Sequence, residues 1–281
     1  MASFAAENVH GLDALRLTAP DGASALVTGH GAHLLSWIPA GGDERLYLSE
    51  TAVYAPDTPI RGGIPVIFPQ FGTLGPLARH GFARTASWTL DESRAGADYA
   101  MATWYLDGNA TTRALWPHDF HAELTVSVGG SQLDVELAIE NTGSEPFDFT
   151  AALHTYLRVR EIEHAKLTGL EHTEFRDQLA GGKVRTEPHE TMAFDGPIDR
   201  IHLNVPPRLF LSESGRRLLI ESSGFPDAVI WNPWDTGTAA FKDLPPLGFR
   251  RMLCVEAAAI GTPVTVKPGL VWAGRQTLVA M

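Results

Sequence analysis

Cross-links have no place in this chain: Cys254 is its only cysteine, so no intrachain disulfide can form and nothing points to an oxidising compartment. A lone cysteine inside the apolar run Met252-Leu-Cys-Val reads as packing, with a reactive thiolate as the alternative. No segment approaches the roughly 20 consecutive apolar residues that a membrane-crossing helix needs. The first ten residues, Met1 to His10, lack the basic and apolar regions of a leader. A soluble, cytoplasmic protein is the expectation.

Basic charge is also scarce. The 22 Lys and Arg against 33 Asp and Glu leave a formal net charge of −11, which argues against nucleic acid or anionic membrane as partners. A small anionic ligand would need a local cluster of arginines, whose field acts at short range where screening is weak. Signature loops are missing as well: there is no G-x-x-x-x-G-K-[ST], no G-x-G-x-x-G after a strand, no G-x-S-x-G and no H-E-x-x-H. Nucleotide-binding, α/β-hydrolase and zincin readings lose their support. Two His-x-x-His pairs occur, His30/His33 and His118/His121. On an extended strand, residues three apart point to opposite faces, so no metal site is expected from them.

Helical periodicity is absent too. No segment keeps the i, i+3, i+4, i+7 pattern over about 12 residues, and 27 Gly and 19 Pro interrupt the chain throughout. What is present is alternation. Leu124, Val126 and Val128, then Gly129-Gly-Ser-Gln132, then Leu133, Val135, Leu137 and Ile139 read as a β-hairpin with one buried face. Phe147, Phe149, Ala151 and Leu153 predict a further strand. Shorter strand-like runs lie at Ala25–Val27, Leu34–Trp37, Leu218–Glu221, Ala228–Trp231, Met252–Glu256 and Thr277–Ala280. With no repeat, linker or composition shift, the pattern predicts one all-β sandwich domain over residues 1–281.

Four groups of residues carry chemistry. Arg61, Gln70, Arg79, His80 and Arg84 gather in a Gly/Pro-rich region, either as an anion site of planar guanidinium groups or as surface arginines paired with the many acids. His154 lies on the polar face of its strand with Asp148, Thr150 and Tyr156, as a general acid or a hydrogen-bonded structural histidine. Glu256 ends an apolar run beside three alanines, a place carboxylates avoid unless paired or functional. Trp231-Asn-Pro-Trp234 offers aromatic surface and an amide, suited to the C–H faces and hydroxyls of a sugar or, residue by residue, to a core.

Taken in order, nine segments give the chain a likeness. They are Arg61-Gly-Gly-Ile-Pro, Phe68-Pro-Gln-Phe-Gly72, His80-Gly-Phe-Ala-Arg84, Trp116-Pro-His118, Ala152-Leu-His-Thr-Tyr156, Ile198-Asp-Arg200, Trp231-Asn-Pro-Trp234, Cys254-Val-Glu256 and Lys267-Pro-Gly269. Together they resemble the glucose-6-phosphate 1-epimerase branch of the aldose 1-epimerase superfamily. The resemblance implies a large antiparallel β-sandwich with an open sugar cleft on one sheet and neither metal nor organic cofactor. It implies an isomerase acting as a monomer on a small sugar phosphate, interconverting anomers of a hexose 6-phosphate such as glucose 6-phosphate. It places the acid and base at His154 and Glu256, sugar-holding contacts at His80 and Asp199, and phosphate-side contacts at Arg61 and Arg84. Gln70 belongs to the same matched region and joins the expected binding set, whereas Arg79 falls outside the matched pattern. His202 and Phe175 stand where tyrosine is common, and altered hydroxyl contacts to the sugar are expected from them. The rival readings are the same chemistry on unphosphorylated aldoses and a non-catalytic sugar-phosphate binder or regulatory subunit. A glycoside hydrolase is a third, although paired carboxylates are not evident.

Overall fold

Alternation decides the architecture. In the computed structural model, which describes residues 1–281, Phe120–Gly129 and Gln132–Asn141 form the expected hairpin, with Phe120 opposite Asn141 and Gly129 opposite Gln132. Its seven alternating apolar residues from Leu124 to Ile139 are all buried. Each of the shorter strand-like runs also falls within an observed strand. The longest helix, Ala110–Leu115, is six residues, capped by the Asn109 side chain, which accepts the Thr111 and Thr112 N–H groups.

The strands make antiparallel sheets of nine, eight and four members. The hairpin lies in the nine-stranded sheet. Phe147–Leu153 follows it in sequence but crosses to the eight-stranded sheet, between Met252–Val266 and Val66–Ile67. The four-stranded sheet is a meander of Ser3–Val9, Leu12–Thr18, Ser24–Thr28 and Leu34–Ile38. One cluster of 54 buried residues draws on all three sheets, so they close on a shared interior. Phe68 is fully buried there and meets Phe82, Trp116, Phe120 and Phe149 at ring distances of 5.3 to 6.1 Å, which explains the phenylalanine of Phe68-Pro-Gln-Phe-Gly72 as a core anchor.

The long strand Met252–Val266 sets out the site. Val255, Ala257 and Ala259 enter the shared core. By the two-residue period of a strand, Cys254, Glu256 and Ala258 face the other way. On the neighbouring Asp227–Asn232 strand, Ala228 and Ile230 likewise enter that core, which leaves Val229 and Trp231 on the outer face.

Candidate active site

Strand register assembles the floor of a cleft on this outer face. Val229 is opposite Glu256 and Trp231 is opposite Cys254, while Asp199 is opposite Trp231. On the other side of Met252–Val266, Tyr156 pairs with Cys254. His154 lies where Phe147–Leu153 ends, its N–H donating to the Pro65 carbonyl at 3.0 Å. The result is a meeting of two titratable groups: His154 Nε2 lies 3.3 Å from Glu256 Oε1. The His154 ring is stacked on Tyr156, centroids 4.8 Å apart, and meets Trp231 edge-on at 6.1 Å.

The rim comes from connecting segments that two glycines allow to pass close by. A Cβ on Gly63, at φ 62°, would collide with the Leu34 carbonyl, and one on Gly81, at φ 67°, with the Phe68 carbonyl. The first keeps the Arg61 segment against the sheet, where Tyr156 N–H donates to Gly63 O at 2.9 Å. The second holds the turn that carries His80 and Arg84. His80 Nδ1 accepts the Gly72 N–H at 3.2 Å, which leaves Nε2–H as the donor of the neutral ring. Burial, then the charges of Arg84, Arg79 and Arg61, push its pKa down to about 3. Arg61 Nε donates to Asp243 at 3.2 Å and Nη1 to the Tyr156 hydroxyl at 3.0 Å, with the guanidinium carbon 4.6 Å above the Phe241 ring. Burial works against the Arg61 charge, but Tyr156 and Asp243 outweigh it and hold the pKa above the usual arginine value. Arg84 donates to the Arg79 carbonyl at 2.8 Å. Burial lowers its pKa to about 10, with Arg61 and Arg79 adding to the effect against the pull of Tyr156, so it remains a cation at neutral pH.

Burial acts oppositely on the central pair. It drives Glu256 well above the ordinary carboxyl range, with Asp199 adding to the rise and Arg79 and Arg84 opposing it. It drives His154 well below the ordinary imidazole range, reinforced by His80, Arg61 and Arg84. Burial thus disfavours charge on both partners, favouring a neutral imidazole and a protonated carboxyl. Asp199 is raised to about 6 by burial, with Arg79 pulling down and Asp177 pushing up. Glu256 Oε2 and His154 Nδ1 are buried without a protein partner.

Arg61, His80, Arg84, His154, Asp199 and Glu256 all line this cleft of about 410 Å³. Gln70 does not. Its amide donates to the Gly72 and Leu77 carbonyls at 3.0 and 3.1 Å and accepts the Leu77 N–H at 2.9 Å, so it braces a Gly/Pro-rich loop with few internal partners of its own. Arg79, outside the matched pattern, does line the cleft, as do Phe241 and Gln178. Of Trp231-Asn-Pro-Trp234, only Trp231 faces the cleft. The Asn232 amide is spent on the Phe249 and Met252 carbonyls at 2.9 and 2.8 Å. His202 and Phe175 are buried against each other, ring centroids 5.0 Å apart, and do not line the cleft, so the expected change in sugar contacts does not follow from them. The His-x-x-His pairs bind elsewhere: His33 contacts the Gly62 carbonyl and His121 contacts Asp107 and Glu123. A larger recess of about 900 Å³ beside Trp88 and Trp104 holds no acid–base pair of this kind.

A β-sandwich with an imidazole and a carboxyl group in contact on one open sheet face, ringed by guanidinium groups, defines a mutarotase-like protein. The sequence profile of the Aldose 1-epimerase family matches residues 13–278, and the chain belongs to that family. It is 36% identical over 262 residues to a Cenchrus ciliaris protein named "Putative glucose-6-phosphate 1-epimerase", covering 90% of this chain and 80% of that one. An Escherichia coli K12 protein of the same name is 34% identical over 232 residues, covering 81% and 77%. The crystal structure of "a putative mutarotase" from Salmonella typhimurium superposes with a TM-score of 0.92 at 28% identity, covering 99% of this chain and 93% of that one.

Proposed function

We propose that the protein interconverts the α and β anomers of a hexose 6-phosphate, glucose 6-phosphate foremost, by acid–base opening and closing of the sugar ring. The 3.3 Å contact of His154 with Glu256, in a cleft whose rim carries Arg61 and Arg84, is the observation that carries this reading. The names of the Cenchrus ciliaris and Escherichia coli relatives agree with it.

In the productive complex Glu256 is a carboxylate and His154 an imidazolium. Arg61 and Arg84 oppose a proton on His154, and a phosphate dianion offsets that opposition, so its arrival favours moving the pair's proton from Glu256 to His154. Glu256 then takes the proton of the C1 hydroxyl, the C1–O5 bond breaks as C1=O forms, and O5 takes the proton of His154. Rotation about C1–C2 presents the other face of the aldehyde. O5 re-adds, returning its proton to His154, and Glu256 re-protonates O1. The broken bond is a hemiacetal, so two proton carriers suffice without metal or organic cofactor. His80 and Asp199 hold the hydroxyls while the ring is open. A phosphorylated hexose as substrate supports a cytoplasmic setting.

A second reading, action on free aldoses, is favoured by the Asp243 carboxylate that already partners Arg61. Two-dimensional exchange NMR with glucose 6-phosphate and with glucose separates the two. Faster α/β exchange of the ester at lower enzyme supports the proposal; preference for glucose supports the second reading. Folded protein that accelerates neither is a binding protein.

A further inference from the structure

Two ends of the cleft meet at Tyr156. Its phenol oxygen accepts the Arg61 Nη1–H at 3.0 Å. Its ring lies flat against the His154 imidazole, centroids 4.8 Å apart and planes 10° from parallel. The oxygen therefore locates a cation of the rim, while the ring locates a proton carrier of the floor. Tyr156 is 2% exposed and does not line the cleft. Trp231 closes its edge at 6.0 Å.

The mounting of Arg61 is uneven. Asp243 and Phe241 belong to the segment between Thr238 and Gly248, which is neither helix nor strand. Tyr156 is the one of these three contacts that belongs to the sheet, paired opposite Cys254 on the strand that carries Glu256. Through Tyr156 the Arg61 guanidinium is referenced to the same rigid element as the acid–base pair.

We propose that Tyr156 is a positioning residue that ties the phosphate end of the substrate to His154, so that recognition of the phosphate is realised in turnover as well as in binding. This rests on the hexose-phosphate reading above. A phosphate gripped far from the reacting carbon raises kcat only if the grip is fixed relative to the catalytic group; a loosely mounted grip improves KM alone. Free glucose has no such handle and gains nothing from the link.

The test is Tyr156→Phe, which keeps the ring and its stacking but removes the oxygen, with kcat and KM measured on glucose 6-phosphate and on glucose. The expected result is a fall in kcat of about tenfold on the phosphate ester, the order of a lost hydrogen bond to a charged group, and a far smaller fall on glucose. Tyr156→Leu, which also removes the stacking, lowers both. Equal losses on the two sugars from Tyr156→Phe, or a higher KM at unchanged kcat, overturn the proposal. Wild-type protein offers a measurement that does not depend on a variant folding: the His154 ring ¹⁵N signals are followed as inorganic phosphate is added. They should move as the anion site fills, and stationary signals under saturating phosphate overturn the link. Wild-type protein that fails to accelerate glucose 6-phosphate exchange sinks the hexose-phosphate reading and this inference with it. An active wild type with an unchanged ester-to-glucose ratio in Tyr156→Phe sinks only the inference.

Discussion

Replacing Glu256 by Gln separates what the carboxyl does for catalysis from what it does to stability. The residue is 2% exposed, its Oε1 touches His154 and its Oε2 has no protein partner. Gln has the same shape, and its amide N–H₂ can donate to the His154 nitrogen as a protonated carboxyl does, so packing survives. It cannot accept the C1 proton. A lost general base lowers kcat by about 10²–10⁴-fold, and the middle of that range is roughly 4 kcal/mol of barrier. Stability moves the other way. Because burial raises the Glu256 pKa above 4.5, the fold holds a proton that the unfolded chain has lost. The contribution is full below the unfolded value and disappears as pH rises through the folded one. Gln does not titrate, so between about pH 5 and 8 the Tm of E256Q should fall less than that of wild type. Exchange NMR with glucose 6-phosphate and thermal unfolding across that range measure both effects. Turnover within about threefold of wild type would remove Glu256 as the base, being far below the loss expected for such a group. A variant whose Tm drops relative to wild type as pH rises would show that the buried pair is ionic in the free protein.

The remaining predictions concern the rim, the loop and the Ile198–Leu203 strand. Arg61→Lys loses the two-pronged geometry of the guanidinium and should lower kcat/KM on glucose 6-phosphate by about tenfold or more with a smaller effect on glucose; equal effects in the exchange assay would favour the free-aldose reading. Gln70→Ala removes three hydrogen bonds of the loop brace. It should destabilise by about 1–3 kcal/mol in denaturant unfolding, the scale of buried groups left without partners, and unaltered stability would contradict the bracing role. His202, fully buried and held down to about pKa 3 mainly by burial and then by Arg200, stays neutral in the fold while the unfolded chain protonates below pH 6.5. Its presence thus erodes stability as pH falls from 6.5 towards 3, and His202→Phe should flatten that acid limb of Tm against pH; an identical slope in both proteins would refute this.

How much was legible in the sequence depended on whether a feature was local. Alternation from Leu124 to Ile139 predicts its hairpin because the signal and the structure are both contiguous. Glu256 was legible as a candidate because it closes an apolar run, where only partnered or functional carboxyls persist, whereas His154, among polar neighbours, drew its expected role from the family resemblance. Sheet membership was not legible. Phe147–Leu153 alternates like its predecessor, yet nothing within it says that it pairs with Met252–Val266 more than 100 residues on. The second half of that long strand lies beyond an irregularity at Gly261-Thr-Pro263: the register against Phe147–Leu153 shifts there, from Ala151 opposite Ala259 to Phe149 opposite Val264. Gln70 and Asn232 share one property: a side-chain amide next to a proline serves backbone carbonyls as readily as a ligand, and composition does not distinguish the two. Arg79 and Phe241 reach the cleft only through the folding of irregular segments, for which no periodic signal exists.

The two kinds of contribution to the cleft have different mountings. His154, Asp199 and Glu256 are carried on or at the end of paired strands, whereas Arg61, Arg79, Arg84 and Phe241 come from the segments between them. The Arg84 turn is itself pinned from behind, where Trp88 Nε1–H donates to the Ala83 carbonyl at 2.9 Å. Reaction and selectivity are thereby modular: exchanging the rim segments while sparing Gly63, Gly81 and Trp88 is a route to retarget the same proton carriers towards aldoses bearing other substituents.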